Sequence, residues 1–178
     1  SLQKDKFGSV VVVGGGPAGM EAAYWCWSLG HRVTLFEKED RLGGQLNIAS
    51  VPPGRREIDF FQQYQARRLQ GTDVMVRLGQ TAKAETITAL DPDAIVVAAG
   101  ARPCLPEVCG HENVHCLTAW DVLTQRAEVP SPVLVLGAGL VGCETADYLA
   151  EQGKDVHLID VLPEIAAGAD GDTKSYFA

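Results

Sequence analysis

Val10-Val11-Val12-Val13-Gly14-Gly15-Gly16-Pro17-Ala18-Gly19 runs an apolar strand into a glycine turn, and Val133-Leu134-Val135-Leu136-Gly137-Ala138-Gly139-Leu140-Val141-Gly142 repeats the arrangement 123 residues later. Each copy leads to a carboxylate at the same distance, since Gly14 to Glu37 and Gly137 to Asp160 are both steps of 23 residues. Glu21 and Glu144, Gly30 and Gly153, Val33 and Val156, and Leu35 and Leu158 also superpose. A lone G-x-G-x-x-G says little. Here each copy lies between a strand-like and a helix-like run and ends in an acid, the context that gives the pattern meaning.

That spacing carries specific chemistry. The first glycine lets the chain turn sharply, the second lets backbone approach a pyrophosphate, and the third lets the helix pack closely on the strand. The helix then aims unsatisfied N–H groups and the positive end of its dipole at the phosphates, so no lysine is required. The carboxylate after the second strand accepts hydrogen bonds from ribose hydroxyls. Two dinucleotide sites are implied. The competing reading is a pair of glycine-rich turns without ligands, against which strand, glycines, helix and acid all agree.

Outward from the two turns, strand and helix alternate, the pattern of a parallel sheet covered on both faces. Val10 to Val13 reads as a buried strand, Ala18 to Leu29 as a helix ended by Gly30, and Val33 to Glu37 as the next strand. Arg41-Leu42-Gly43-Gly44-Gln45 is a loop whose glycines free its backbone to approach a ligand. The periodicity of residues 57–69 predicts a helix with Ile58, Phe60, Phe61, Tyr64 and Leu69 on a broad apolar face. Val74 to Leu78 suits an edge strand, Ala84 to Leu90 a short helix, and Ala94 to Ala99 another buried strand running into Gly100. Prolines 106, 130 and 132 punctuate a connection with a short helix near Ala119 to Gln125. The second unit adds a helix at Leu140 to Gln152 and a strand at Asp155 to Asp160, and the last eighteen residues read as loop. The expected division is a first nucleotide-binding segment over 1–106, a connection over 107–132 and a β-α-β unit over 133–178.

Composition excludes other classes. At 178 residues, 46% hydrophobic and 21% charged, the chain can bury a sizeable core. A net charge of −8 with no long basic stripe argues against nucleic acid or an anionic membrane as main partner. No apolar stretch has membrane-spanning length and Ser1 to Gly8 lacks a signal-peptide core, so the cytoplasm is the expected compartment. Cys26, Cys104, Cys109, Cys116 and Cys143 are odd in number and irregularly spaced, unlike a secreted disulfide framework.

Taken with Leu35-Phe36-Glu37-Lys38, Gly43-Gly44-Gln45-Leu46-Asn47-Ile48-Ala49 and Ala98-Ala99-Gly100-Ala101-Arg102-Pro103, the two glycine motifs resemble the two-dinucleotide flavoprotein module. More narrowly, the chain resembles the C-terminal part of bacterial NADH:flavin oxidoreductases of the 2,4-dienoyl-CoA reductase and trimethylamine dehydrogenase group, from about Gly8 to Asp160. The resemblance implies an α/β, Rossmann-like two-dinucleotide fold with a parallel sheet and an incomplete second nucleotide domain. It implies FAD, or ADP in its place, in the first site and NADH or NADPH in the second. By position, Gly14, Gly16, Pro17, Ala18 and Gly19 would meet the first pyrophosphate, with Glu37 on the ribose and Lys38 beside it. Gly44 and Gln45 would flank that nucleotide, Ala99 and Gly100 would close against it, and backbone near Thr81 and Ala82 would meet the adenine. Gly137, Gly139, Leu140, Val141, Gly142 and Asp160 would serve the second nucleotide, with NADH preferred. By the same resemblance FMN, an iron–sulfur cluster and the substrate-reducing site belong to an N-terminal barrel domain that this stretch lacks. This stretch alone is therefore expected to be inactive, and the open edge of its incomplete second sheet is expected either to pair with another chain or to leave the residues after Asp160 poorly ordered.

No catalytic residue and no metal ligand set emerges. No Cys-x-x-Cys occurs, and Gly43-Gly44-Gln45-Leu46-Asn47 stands where disulfide reductases carry their redox cysteines. Cys104 and Cys109 are close enough in a loop to bridge, though unpaired thiols are the plainer reading, and Cys26 and Cys143 read as small core residues. His31, His111, His115 and His157 lack metal-ligand spacing. Arg55, Arg56, Arg67 and Arg68 read as solvated, and Tyr24, Trp25 and Trp27 as packing residues. Two rivals to hydride transfer stay open: a structural ADP-binding module, and a disulfide-reductase relative without its cysteine pair.

Overall fold

The computed structural model describes residues 8–105 and 114–177, which fall into two compact units. One comprises Arg56–Ala101 with everything described before Val51; the other comprises Val51–Arg55 and the described residues from Arg102 onward. Both are α/β units with parallel strands, as the alternating pattern requires.

In the first unit β1 (Ser9–Val13), α1 (Pro17–Ser28) and β2 (Arg32–Phe36) form the β-α-β core. They are followed by α2 (Leu46–Ala49), α3 (Arg56–Gln70), β3 (Met75–Arg77), α4 (Ala84–Thr88) and β4 (Ala94–Val97). The strands lie in the order β3-β2-β1-β4, all parallel, with Val10 paired to Val33 and to Ala94. Pro17 begins α1 because its ring presets the helical φ where its missing N–H costs nothing. The helix stops at Gly30, whose φ of +93° closes a C-terminal turn. Side chains alternate across a strand, so Val10, Val12, Val33 and Leu35 share one face and pack against Met20, Ala23 and Leu69 from the helices. Burial of each such aliphatic side chain is worth about 1.5–3 kcal/mol.

The second unit contains α5 (Ala119–Leu123), β5 (Val133–Leu136), α6 (Leu140–Glu151), β6 (Val156–Ile159) and α7 (Gly171–Phe177). Thr118 and Asp121 form a reciprocal capping box that starts α5. β5 and β6 pair in parallel, with Val133 opposite Val156. Val133, Val135 and Val156 pack with Val122, Val129 and Leu149. Among the described residues no helix is long and apolar enough to cross a membrane.

Four expectations need correction. The second face of the first sheet is covered only in part: Val11 and Phe36, opposite Val10 and Val12, are buried, but at the β4 edge Val96 packs on the core while Ile95 and Val97 remain 50% and 76% exposed. β4 is thus not buried, and Leu134, Leu136 and Ile159 are likewise open in the second unit. A continuous apolar run cannot reveal which of its two faces is covered. In α3, Phe60, Phe61 and Tyr64 are exposed, and the helix turns Gln65, Ala66 and Leu69 inward. The final residues are not all loop, because Asp170 accepts from the backbone N–H and hydroxyl of Thr173 and so starts α7. Arg68 is not simply solvated: its guanidinium stacks 3.7 Å over the Tyr24 ring and pairs with Glu21 at 3.0 Å. Glu144, which superposes on Glu21, pairs with Arg55.

Candidate functional site

In the first unit, the turn after β1 meets the end of β2 at the carboxyl edge of the sheet. Gly14 holds φ at +107° and donates to the Phe36 carbonyl at 2.8 Å, and any Cβ there would collide with the Ala98 carbonyl oxygen. A Cβ on Gly19 would collide with the Gly14 carbonyl oxygen, so the third glycine is fixed by helix-to-strand packing. Gly16 differs. It is the extended N-cap of α1, and a Cβ there would meet only Gly44 Cα, at 3.9 Å. Open space therefore lies in front of the α1 N–H groups, where a phosphate needs backbone approach.

Glu37 is buried, and its carboxylate accepts from the Gly15 amide at 2.6 Å and from the Glu39 amide at 2.9 Å. Each carboxylate oxygen retains a further lone pair. Gly44, at φ +52°, sits against Gly16, and Gln45 Nε2 donates to the Ala101 carbonyl at 3.4 Å just beyond Gly100. Pro17 and Ala18 open α1, and Ala99 and Gly100 are exposed after β4. Ala82 lies two residues past Gln80, whose amide binds the Glu37 carbonyl at 2.9 Å. Lys38 stands apart, pairing with Glu39 at 3.4 Å on the surface.

The second turn reproduces this arrangement. Gly137 holds φ at +99° and donates to the Ile159 carbonyl at 2.8 Å; a Cβ on Gly142 would collide with the Gly137 carbonyl oxygen. Gly139 caps α6 with open space around its missing Cβ, and Leu140 and Val141 are exposed on the first turn. Asp160 accepts from the Ala138 amide at 2.6 Å and the Leu162 amide at 2.8 Å. Those two bonds, Leu162 first, hold its carboxyl below the ordinary aspartate value of 3.8. Unlike Glu37, Asp160 is exposed.

Two residues outside the motifs also touch the turns: Gly43 donates to the Gly15 carbonyl at 2.9 Å and Ala166 to the Ala138 carbonyl at 2.6 Å. A glycine beside Gly44 was a signal that could have marked Gly43; an alanine in an apolar tail gave none. Cys143 is a buried core residue, Cys26 is half-buried with its thiol pushed up by burial, and Cys104 is exposed; Cys109 and His111 lie outside the described residues. Among the described residues no group of three or more His, Cys, Asp or Glu is placed to hold a metal.

The fold and the paired turns define an α/β protein with two Rossmann-like β-α-β units, each with a glycine turn and a carboxylate. Residues 8–177 match the model of the pyridine nucleotide-disulphide oxidoreductase family, and the chain belongs to that family. It is 48% identical over 161 residues to an NADH oxidase of Thermoanaerobacter brockii, covering 88% of this chain and 25% of that protein. It is 49% identical over 163 residues to a bilirubin reductase of Mediterraneibacter gnavus, covering 91% and 25%. Among solved structures, 2-naphthoyl-CoA reductase in complex with 2-naphthoyl-CoA superposes with a TM-score of 0.92 at 29% identity, over 97% of this chain and 26% of that one. Histamine dehydrogenase from Rhizobium sp. 4-9 shares the fold, with a TM-score of 0.78 at 21% identity. The resemblance to the NADH:flavin oxidoreductase group is borne out, and the chain spans about a quarter of the length of these relatives.

Proposed function

We propose that the segment over about 1–106 binds the adenosine diphosphate half of FAD, that 133–178 binds NADH, and that the whole protein carries hydride from NADH to flavin. The observation that carries this reading is the repeated geometry: two helix N-caps with open space, each beside a carboxylate fastened to its own glycine turn. These residues fit the groups, because a bare backbone at Gly16 and Gly139 admits a pyrophosphate and the free lone pairs of Glu37 and Asp160 suit ribose hydroxyls. When bound, flavin and nicotinamide supply the redox chemistry themselves. The chain binds and orients them. Onward delivery of electrons to FMN, an iron–sulfur cluster and a substrate site belongs, on this reading, to another domain of a cytoplasmic enzyme.

Asp160 also argues for NADH over NADPH. Its charge would oppose a 2′-phosphate, and Val161-Leu162-Pro163-Glu164 brings no arginine to neutralise one. Lys174 of α7 is engaged by Glu164 at 3.2 Å. Like-charge juxtaposition disfavours the phosphorylated coenzyme, so NADH is expected to be preferred over NADPH. Anaerobic reduction of the flavin-loaded protein with each coenzyme measures it. Equal specificity for NADPH would remove the role given to Asp160, and a purified protein carrying ADP with no flavin absorbance would favour the structural ADP reading, whose contacts are the same.

A further inference from the structure

The internal repeat extends past the two carboxylates. Gly43 and Ala166 are themselves 123 residues apart, and each donates its amide to the carbonyl of the residue after the first glycine, Gly15 at 2.9 Å and Ala138 at 2.6 Å. The correspondence continues, with Leu46 donating to the Gly43 carbonyl and Ala169 to the Ala166 carbonyl, both at 3.0 Å. Both anchors hold positive φ, +119° for Gly43 and +49° for Ala166. That conformation is natural for glycine and unfavourable for alanine. Ala166 nevertheless keeps it, fully buried in a cluster with Ala138 and Cys143.

We propose that Ala166 is a positioning residue for the nicotinamide dinucleotide and Gly43 its counterpart for the flavin nucleotide, an inference that rests on the function proposed above. The reason lies in the planarity of the peptide. The Ala138 carbonyl and the Gly139 N–H belong to one trans peptide unit and point in opposite directions. Fixing the carbonyl from the loop side therefore fixes the amide toward the open space at the cap of α6. Accepting a hydrogen bond also polarises the peptide and makes its N–H a stronger donor. The Gly15 carbonyl and the Gly16 N–H at the cap of α1 stand in the same relation. An amide set before the ligand arrives need not be ordered when it binds. Gly43 and Ala166 thus act on the phosphates through the turn.

Replacing Ala166 by lactic acid through nonsense suppression in the full chain turns one peptide into an ester, deleting the N–H and leaving the methyl group. Binding of NADH and ADP-ribose should weaken up to about tenfold, because an amide no longer held in place must be ordered as the ligand binds. Binding of adenosine, which has no phosphate, and of FAD should be unchanged. Glycolic acid at Gly43 should weaken FAD and spare NADH, and Ala166→Gly, which keeps the N–H and relieves the φ, should bind NADH as the parent does. In the unsubstituted chain, the Gly139 amide resonance should move on adding NADH or ADP-ribose and stay in place with adenosine. An ester variant that binds NADH like the parent, an equal loss for adenosine, or a Gly139 amide unmoved by NADH would each overturn the proposal while leaving the nucleotide reading intact. A parent chain that takes up neither NADH nor ADP-ribose would overturn the nucleotide reading and this inference with it.

Discussion

Gly16 and Gly19 stand three residues apart in one turn, and the structure separates what each contributes. Gly16 has an ordinary φ of −72° and open space at its missing Cβ. Gly16→Val should fold, with a melting temperature close to the parent's, while filling the space the first pyrophosphate needs. FAD and ADP affinity, read by calorimetry, should fall by about tenfold or more; unchanged affinity would remove the first site. Gly19→Ala should do the opposite, destabilising the chain before any ligand is added, because its Cβ meets the Gly14 carbonyl oxygen. Asp160 yields a pH expectation. Its folded pKa is lowered, so its stabilising contribution is complete above the unfolded value of 3.8 and is lost as pH falls through the lower folded value. NADH affinity should therefore show no dependence on this group at neutral pH. A titration of NADH binding with a midpoint near neutrality that disappears in Asp160→Asn would contradict this.

At the scale of elements, α3 shows where periodicity misleads. Its aromatic residues suggest a core face, yet the inward side carries Ala66, Leu69 and the almost fully buried Gln65. Polar bonds orient the helix: Gln62 donates to the Leu42 carbonyl at 3.0 Å and Gln65 to the Pro17 carbonyl at 3.3 Å. Such bonds are long-range, and no local window contains their acceptors. Leu69→Ala should accordingly cost about 2–5 kcal/mol by urea unfolding, whereas Phe60→Ser, at a residue 64% exposed, should stay within about 0.5 kcal/mol. The reverse ranking would mean that α3 packs by its aromatic face. The same limit applies to β4, whose apolar run reads as a buried strand although only Val96 is turned away from solvent.

At the scale of the whole molecule, two units each carry one turn, one carboxylate and one anchoring loop. Ligand protection should therefore divide along the chain. In hydrogen exchange of the full chain, FAD or ADP should slow the amides of 14–19 and 37–45, and NADH those of 137–143 and 160–169. NADH protection confined to the first set would reverse the assignment of the two sites.

The amino-acid sequence by itself determined the two β-α-β units, their 123-residue register, the paired carboxylates and the family resemblance, because glycine geometry, strand alternation and helix punctuation are local and leave their marks within about thirty residues. It also located Gln45 and Gly100 near the first turn, through the resemblance. Only the tertiary structure decided which sheet faces are covered, that Gln65 lies inside while Phe60 lies outside, that Lys38 turns away to Glu39, and that Ala166 anchors the second turn. Each of these depends on a partner far along the chain or on a backbone angle that an ordinary residue adopts only under constraint, and neither is written in the residue type.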